Sequence, residues 1–245
     1  MPVGSKPVQR LLIFVAPVVF LACMLWIKLQ SGGSGRGALY EDLNYENHLI
    51  QNLQALFYSA SFILLFVAAR RFAARPRYMR WVVLLAGVLI FFIVGEEIQW
   101  GQDIFRFQPP QYFANNNLEG ELNLHNMPGP EHMLDNIFIL VGLLGGFGWL
   151  VPETLVPWLP LRKRFIPPWY LTLFFLPLVG YGFLWKVMTK AGFLGGLFGA
   201  WRPFLSTYLC YCDQEPAELL FASACLILAL SILQLARQKP QSSTS

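Results

Sequence analysis

Charge is what this sequence has least of. Asp, Glu, Lys and Arg make up 13% of its 245 residues, where a soluble domain carries about a quarter. That scarcity, with 56% hydrophobic residues and a mean hydropathy of +0.48, excludes an ordinary water-soluble globule. Other absences narrow the class further. No long polar/apolar alternation suggests an outer-membrane barrel. No small-x-small site closes the first apolar run as in a cleaved signal peptide. No basic stripe or motif points to nucleic acid. H-E-x-x-H, H-x-x-x-D-H, G-x-S-x-G, Walker and Rossmann patterns are all missing, so no standard catalytic or nucleotide signature applies.

What is present is a series of charge-poor runs: Leu11–Ile27, Leu49–Ala69, Trp81–Gly95, Asn136–Pro152, Phe165–Trp185 and Leu219–Ala236. Each approaches or reaches the roughly 20 residues that cross hydrocarbon as helix. They predict an all-α polytopic transmembrane bundle, one domain over residues 1–237 followed by a polar tail at 238–245. Spans are expected at about 11–27, 49–69, 81–100, 132–152, 165–187 and 217–236. The apolar stretch between Lys186 and Glu215 is the alternative seventh span, or a re-entrant or surface-lying helix. With six spans and both termini inside, 12 of the 18 basic residues fall on the inner side, and 13 of the 14 acids on the outer. The positive-inside rule then gives a multi-pass membrane protein with cytoplasmic termini. Cys23 and Cys225 read as packing residues. Cys210 and Cys212 are too close in sequence for an easy bridge, which leaves free thiols or a metal contact.

GEEIQWGQ, Gly95–Gln102, is the anomaly. Glu96 lies 16 residues beyond Arg80, about 24 Å along a helix against a core of about 30 Å. Two adjacent carboxylates at that depth need pairing, protonation or water. Neighbouring helix positions point about 100° apart, so the two acids are expected to serve different purposes. Continued as helix, Glu96, Gln99 and Asp103 share a face. Downstream, Asn115–Asn126 collects amides, Glu119, Glu121 and His125. Extended chain sets Glu119, Glu121, Asn123 and His125 on one face, whereas helix pairs Glu121 with His125. Phe105, Phe107, Tyr112 and Phe113 suit a membrane interface. The segment is expected to fold back onto the bundle as a structured outer loop, bringing Glu121 and His125 within reach of Glu97, beside Asp135 and His132. Glu131, Glu215 and Glu218, at the starts of spans, read as partners of helix dipoles.

Gly95-Glu96-Glu97-x-x-Trp100-Gly101-Gln102 followed by Asn117-x-x-Gly120-Glu121-x-Asn123-Leu124-His125-Asn126 resembles an uncharacterised family of bacterial polytopic membrane proteins. The likeness extends over roughly residues 40–140, with Glu41-Asp42 and Gln54–Tyr58 also similar. It departs at Gln99 and Asp103, where that family usually has Ser and a basic residue. The resemblance implies relatives of the same membrane class, a place in the bacterial inner membrane, and no particular reaction.

Three function classes follow. The first is a membrane-embedded hydrolase or transferase acting on a lipid or polyprenyl-linked substrate. Glu96, Glu97, Glu121, His125 and Asp135 would be catalytic, with Glu96 as base and Glu97, Glu121 and His125 as ligands to a divalent metal. Trp100, Gln102, Asn117, Asn123, Asn126 and His132 would bind substrate. The second is a proton- or cation-coupled transporter, against which the inner halves of the spans are nearly all apolar. The third is a non-catalytic assembly protein whose acids lock helices in register. Membrane lipid is the expected partner in the first.

Overall fold

The computed structural model describes residues 6–30, 38–44, 48–72, 77–128, 130–151, 165–189 and 196–238, the side chains at 38, 103, 130–132, 134 and 211 excepted. Among the described residues there is no strand. The chain runs through α1 (Pro7–Gln30), α2 (Ala38–Asn44), α3 (Leu49–Arg71), α4 (Arg77–Glu97), α5 (Gln102–Phe105), α6 (Gln111–Asn116), α7 (Pro130–Phe147), α8 (Thr172–Thr189), α9 (Arg202–Tyr208) and α10 (Gln214–Arg237). Among the described residues five helices are long and apolar enough to cross a membrane; a sixth apolar stretch, Asp135–Leu150, is shorter. Between residues 196 and 213 only short helical pieces are described.

Packing runs in sequence from α4 to α3, from α3 to α10, from α10 to α8, and from α8 to α7, while α1 leans on α8 and α10. The central contact is between α3 and α10. Leu65, Ala68, Ala69 and Phe72 of α3 and its cap meet Met79 and Val83 of α4 and Ala229, Leu233 and Ala236 of α10 in a core of small and branched chains. Alanine on α10 lets the backbones approach, which is how helices associate where lipid supplies no hydrophobic drive. The α7–α8 pair goes further. A Cβ on Gly142 would lie 2.5 Å from Val179 and 2.9 Å from the Phe175 carbonyl, and one on Gly145 would meet the Phe175 ring at 2.2 Å. The glycines of 142–146 thus serve close packing. The outside is the apolar side: Leu56, Ile63, Leu85, Val88, Leu140 and Leu144 are all more than half exposed, a surface suited to hydrocarbon.

Several expected boundaries shift. α4 stops at Glu97 instead of 100, and α8 starts at Thr172, after Pro167-Pro168 and a 3₁₀ turn. Cys23 is exposed on α1 and not a packing residue. Cys210 and Cys212, expected to remain unbridged, form a disulfide with Cα atoms 5.3 Å apart, inside the ordinary range.

Candidate functional site

α4 ends by reversing its backbone. Gln99 and Trp100 have φ of 51° and 52°, and Gly101 has 86°. Left-handed conformation is costless for glycine and strained for the other two. The reversal lays the Trp100 ring back on α4. A Cβ on Gly95 would come within 2.9 Å of three ring atoms, so glycine is required there. Phe91 and Phe92 meet the indole edge-on at 6.4 and 5.2 Å. In this position Trp100 Nε1 donates to Glu96 Oε1 at 2.8 Å. The helical face proposed for Glu96, Gln99 and Asp103 is therefore broken before it reaches Gln99, and the Asp103 side chain lies outside the described residues.

The segment from 117 to 128 is neither strand nor helix but a run of turns organised by amides. Asn117 Oδ1 accepts from the Glu119 and Glu121 N–H groups, and its Nδ2 donates to the Asn123 carbonyl and Oδ1. Asn123 Nδ2 donates to Glu121 at 3.0 Å, and Asn126 Nδ2 to Glu119. Gln102 Oε1 takes the Leu122 N–H at 2.8 Å. Glu96 Oε2 takes the N–H groups of Leu124 at 2.6 Å and His125 at 3.1 Å. His125 Nδ1 lies 3.4 Å from the same oxygen. Every partner of Glu96 named here can donate, the pattern that suits an ionised carboxylate.

Glu97 faces elsewhere, into a cavity of ≈ 480 Å³ between α3, α4, α7, α8 and α10. Gln51, Tyr58, Glu96, Glu97, His125, Gln214, Glu215 and Glu218 make its polar end. Phe92, Ile93, Leu124, Met133, Ile137, Phe138, Val141, Leu178 and Phe221 make the apolar remainder. Gln214 Nε2 donates to Glu218 at 2.7 Å, and the buried Gln54 donates to Glu215 at 2.8 Å. α4 and α7 are the two ends of the packing sequence, and both line this space. Phe92 on one and Met133 and Ile137 on the other are 45%, 61% and 46% exposed, so the cavity opens sideways between these helices.

The expected site residues separate accordingly. Glu96, Glu97 and His125 line the cavity; Glu121 and Asp135 do not. Glu121 is taken up with Asn123, and Asp135 sits at the α7–α8 contact with Lys186 Nζ at 4.0 Å. His125 meets Glu96, not the expected Glu97, because Glu96 is the acid on the face that the loop crosses. Among the described residues no three His, Cys, Asp or Glu side chains are arranged to hold a metal ion, so the set Glu97, Glu121 and His125 is not assembled. Trp100, Gln102, Asn117, Asn123 and Asn126 build the loop rather than line the cavity; the His132 side chain lies outside the described residues. Glu215 and Glu218, read from sequence as dipole partners, are cavity acids, with Gln51, Gln214 and Tyr58 among the other polar groups of its wall. Their signal was available: two acids one turn apart opening a span, at the end of the bundle where Glu97 closes another.

Fold and site together define a class, an all-helical bundle with an apolar exterior and an amphiphilic cavity at one end. Compared with family models, with curated proteins and with solved structures, the chain finds no match in any of the three.

Proposed function

We propose that the protein is a six-span membrane protein of the bacterial inner membrane with both termini cytoplasmic. Its cavity takes the head end of a membrane amphiphile, on which Glu96 and His125 act as an acid–base pair in hydrolase or transferase chemistry. One observation carries this: His125 stands at the cavity wall with Nδ1 3.4 Å from Glu96. A carboxylate on Nδ1 selects the tautomer that leaves Nε2 as proton acceptor, the usual way an imidazole base is oriented. The apolar remainder of the cavity suits a hydrocarbon chain, and its lateral opening suits entry from lipid. Against transport, the half of the bundle away from the cavity is filled by the close apolar core of α3, α4 and α10. Exposed Phe105 and Tyr112 support an interfacial position for the loop.

The assembly reading keeps one observation of its own. Glu96 already accepts from Trp100, Leu124 and His125 backbone and side-chain donors, as a purely structural lock would. Two experiments decide. Reporter fusions after Arg80, Asn126 and Ser245 should read inside, outside, inside; an outer C-terminus sinks the six-span topology. Purified protein in lipid nanodiscs should then be incubated with a total membrane lipid extract and the lipids followed by mass spectrometry. Species that change with the native protein and not with His125→Ala support catalysis. Identical profiles leave the lock as the better account.

A further inference from the structure

The Cys210–Cys212 disulfide lies outside the cavity lining, and its setting is that of a reactive bond. It joins residues at a sequence separation of 2, so as a staple it removes little freedom from the unfolded chain. Nor does the turn depend on it. The Asp213 N–H donates to the Cys210 carbonyl at 3.1 Å, and the Cys210 N–H donates to Asp213 Oδ2 at 2.9 Å. Those two bonds hold the turn whether the sulfurs are joined or free. Both cysteines are partly exposed. Beside them stands an ammonium: Lys28 Nζ, near the end of α1, lies 3.9 Å from Cys210 Sγ. Lys28 is also the partner of Asp213, but an ammonium has three N–H donors and can serve carboxylate and sulfur together. The Asp213 charge opposes a thiolate at Cys210, and it is answered by Lys28, by the Tyr40 hydroxyl at 2.7 Å and by the Cys210 N–H. A partly exposed cysteine beside a lysine is where a thiolate forms readily. Among the described residues no such donor reaches Cys212.

We propose that Cys210 and Cys212 form a thiol–disulfide exchange site that oxidises peptide dithiols, Cys212 being the sulfur attacked and Cys210 the one that leaves. A substrate thiolate attacks Cys212 Sγ, the bond between the two cysteines breaks, and its electron pair departs on Cys210 Sγ, toward Lys28. The substrate is then held on Cys212 as a mixed disulfide. Its second thiol, having lost its proton, attacks the substrate sulfur of that bond and expels Cys212 as thiolate. The substrate leaves as a disulfide. Its two electrons and two protons remain on Cys210 and Cys212 as thiols. The polarity follows from the Lys28 contact, because exchange is faster when the leaving thiolate is the better stabilised one. In the six-span topology proposed above the turn faces outward, the side where disulfides persist. Only that placement rests on the topology; the exchange does not.

The test mixes full-length protein in nonionic detergent with an equimolar reduced peptide carrying two cysteines. Thiols are quenched with acid, alkylated and located by peptide mass mapping, which separates this pair from the free Cys23 and Cys225. The peptide should gain a disulfide in step with the appearance of thiols at Cys210 and Cys212. A bond that stays closed here and in millimolar reduced glutathione is a structural one, and that result overturns the proposal. Hydrogen exchange in α10 should be the same before and after reduction; a helix start that loosens would show a staple instead and overturn it as well. Cys212→Ser and Cys210→Ser, which leave the backbone bonds of the turn in place, fix the polarity. With alkylation by iodoacetamide followed against pH, Cys210 should reach its half-maximal rate about one pH unit below Cys212, the scale of one nearby opposite charge. Equal midpoints, or the reverse order, overturn the assignment of the leaving sulfur. None of these measurements needs lipid turnover or a membrane orientation, so their failure leaves the reading of the cavity untouched.

Discussion

Two groups of polar side chains meet at the start of α10, and they are built on different terms. On one side Asp213, the residue before the helix, is answered on both oxygens: Lys28 pairs with it, Tyr40 donates at 2.7 Å and the Cys210 N–H at 2.9 Å. On the other, α10 turns Glu215 and Glu218 into a cavity that Glu97 already enters and no described Lys or Arg lines. The first group joins α1, α2 and the Cys210–Cys212 turn, and its charges close. The second joins α3, α4 and α10 around open volume. Buried charge that is fully paired is a tie.

Breaking the tie should have the largest effect. Asp213→Ala strands the buried Lys28 ammonium, and removing one partner of a buried pair costs about 3–5 kcal/mol. Lys28→Met should lose a similar amount, and the double variant clearly less than the sum, since both deletions remove the same interaction. Thermal unfolding in detergent measures all three. Additive losses would mean that the pair contributes nothing as a pair.

Glu96 belongs with the tie although it stands next to Glu97. Glu96→Ala leaves Trp100 Nε1 and the Leu124 and His125 N–H groups without their acceptor. At about 1 kcal/mol or more for each donor, the loop should lose roughly 3 kcal/mol. Hydrogen exchange at Leu124 and His125 should accelerate while amides in α10 stay protected. Uniform acceleration throughout the bundle would show that the loop is not a separate unit.

These contrasts also explain what was and was not readable along the chain. The long apolar helices announce themselves by hydropathy, and GEEIQWGQ by two acids where a span should continue. The return of 117–128 to the end of α4 was legible as a need for donors, because buried carboxylates must find them and the amides lie close by. The backbone reversal was not. Gly101 is its only local sign, while Gln99 and Trp100 are held at positive φ by the packing of the indole on Gly95, a contact no propensity encodes. Lys28 and Asp213 lie 185 residues apart, so neither carries any local mark of the other. Glu215 and Glu218 were ambiguous for a different reason. An acid in a helix's first turn is already explained by the dipole, and only the arrangement of α3, α4 and α10 decides what it faces.

A smaller effect is expected at the hinge of the reversal. Gly95→Ala puts a Cβ 2.9 Å from the Trp100 ring, and overpacking of this kind costs about 1–3 kcal/mol. The indole must shift, which weakens its hold on Glu96 before anything else moves. Faster exchange at Leu124 without faster exchange in α3 would register that order of events; an unchanged loop would mean the indole contact carries little of its stability.

The smallest effect should have the opposite sign, and it separates the two regions most sharply. Glu218→Gln keeps the size of the side chain and removes one of the carboxyl groups that Glu97, Glu215 and Glu218 bring to the same end of the cavity. Its bond from Gln214 can be kept by the amide oxygen. Where a carboxylate is a tie, neutralising it destabilises; where it repels its neighbours, neutralising it relieves them. The variant should therefore unfold at the same temperature as the native protein or a few degrees higher, a gain of about 1 kcal/mol at most. Glu97→Gln should behave alike, and the two gains should not add, because the first substitution already removes the repulsion between that pair. A loss of 2 kcal/mol or more in either variant would place these acids with Asp213 and Glu96 among the structural ties.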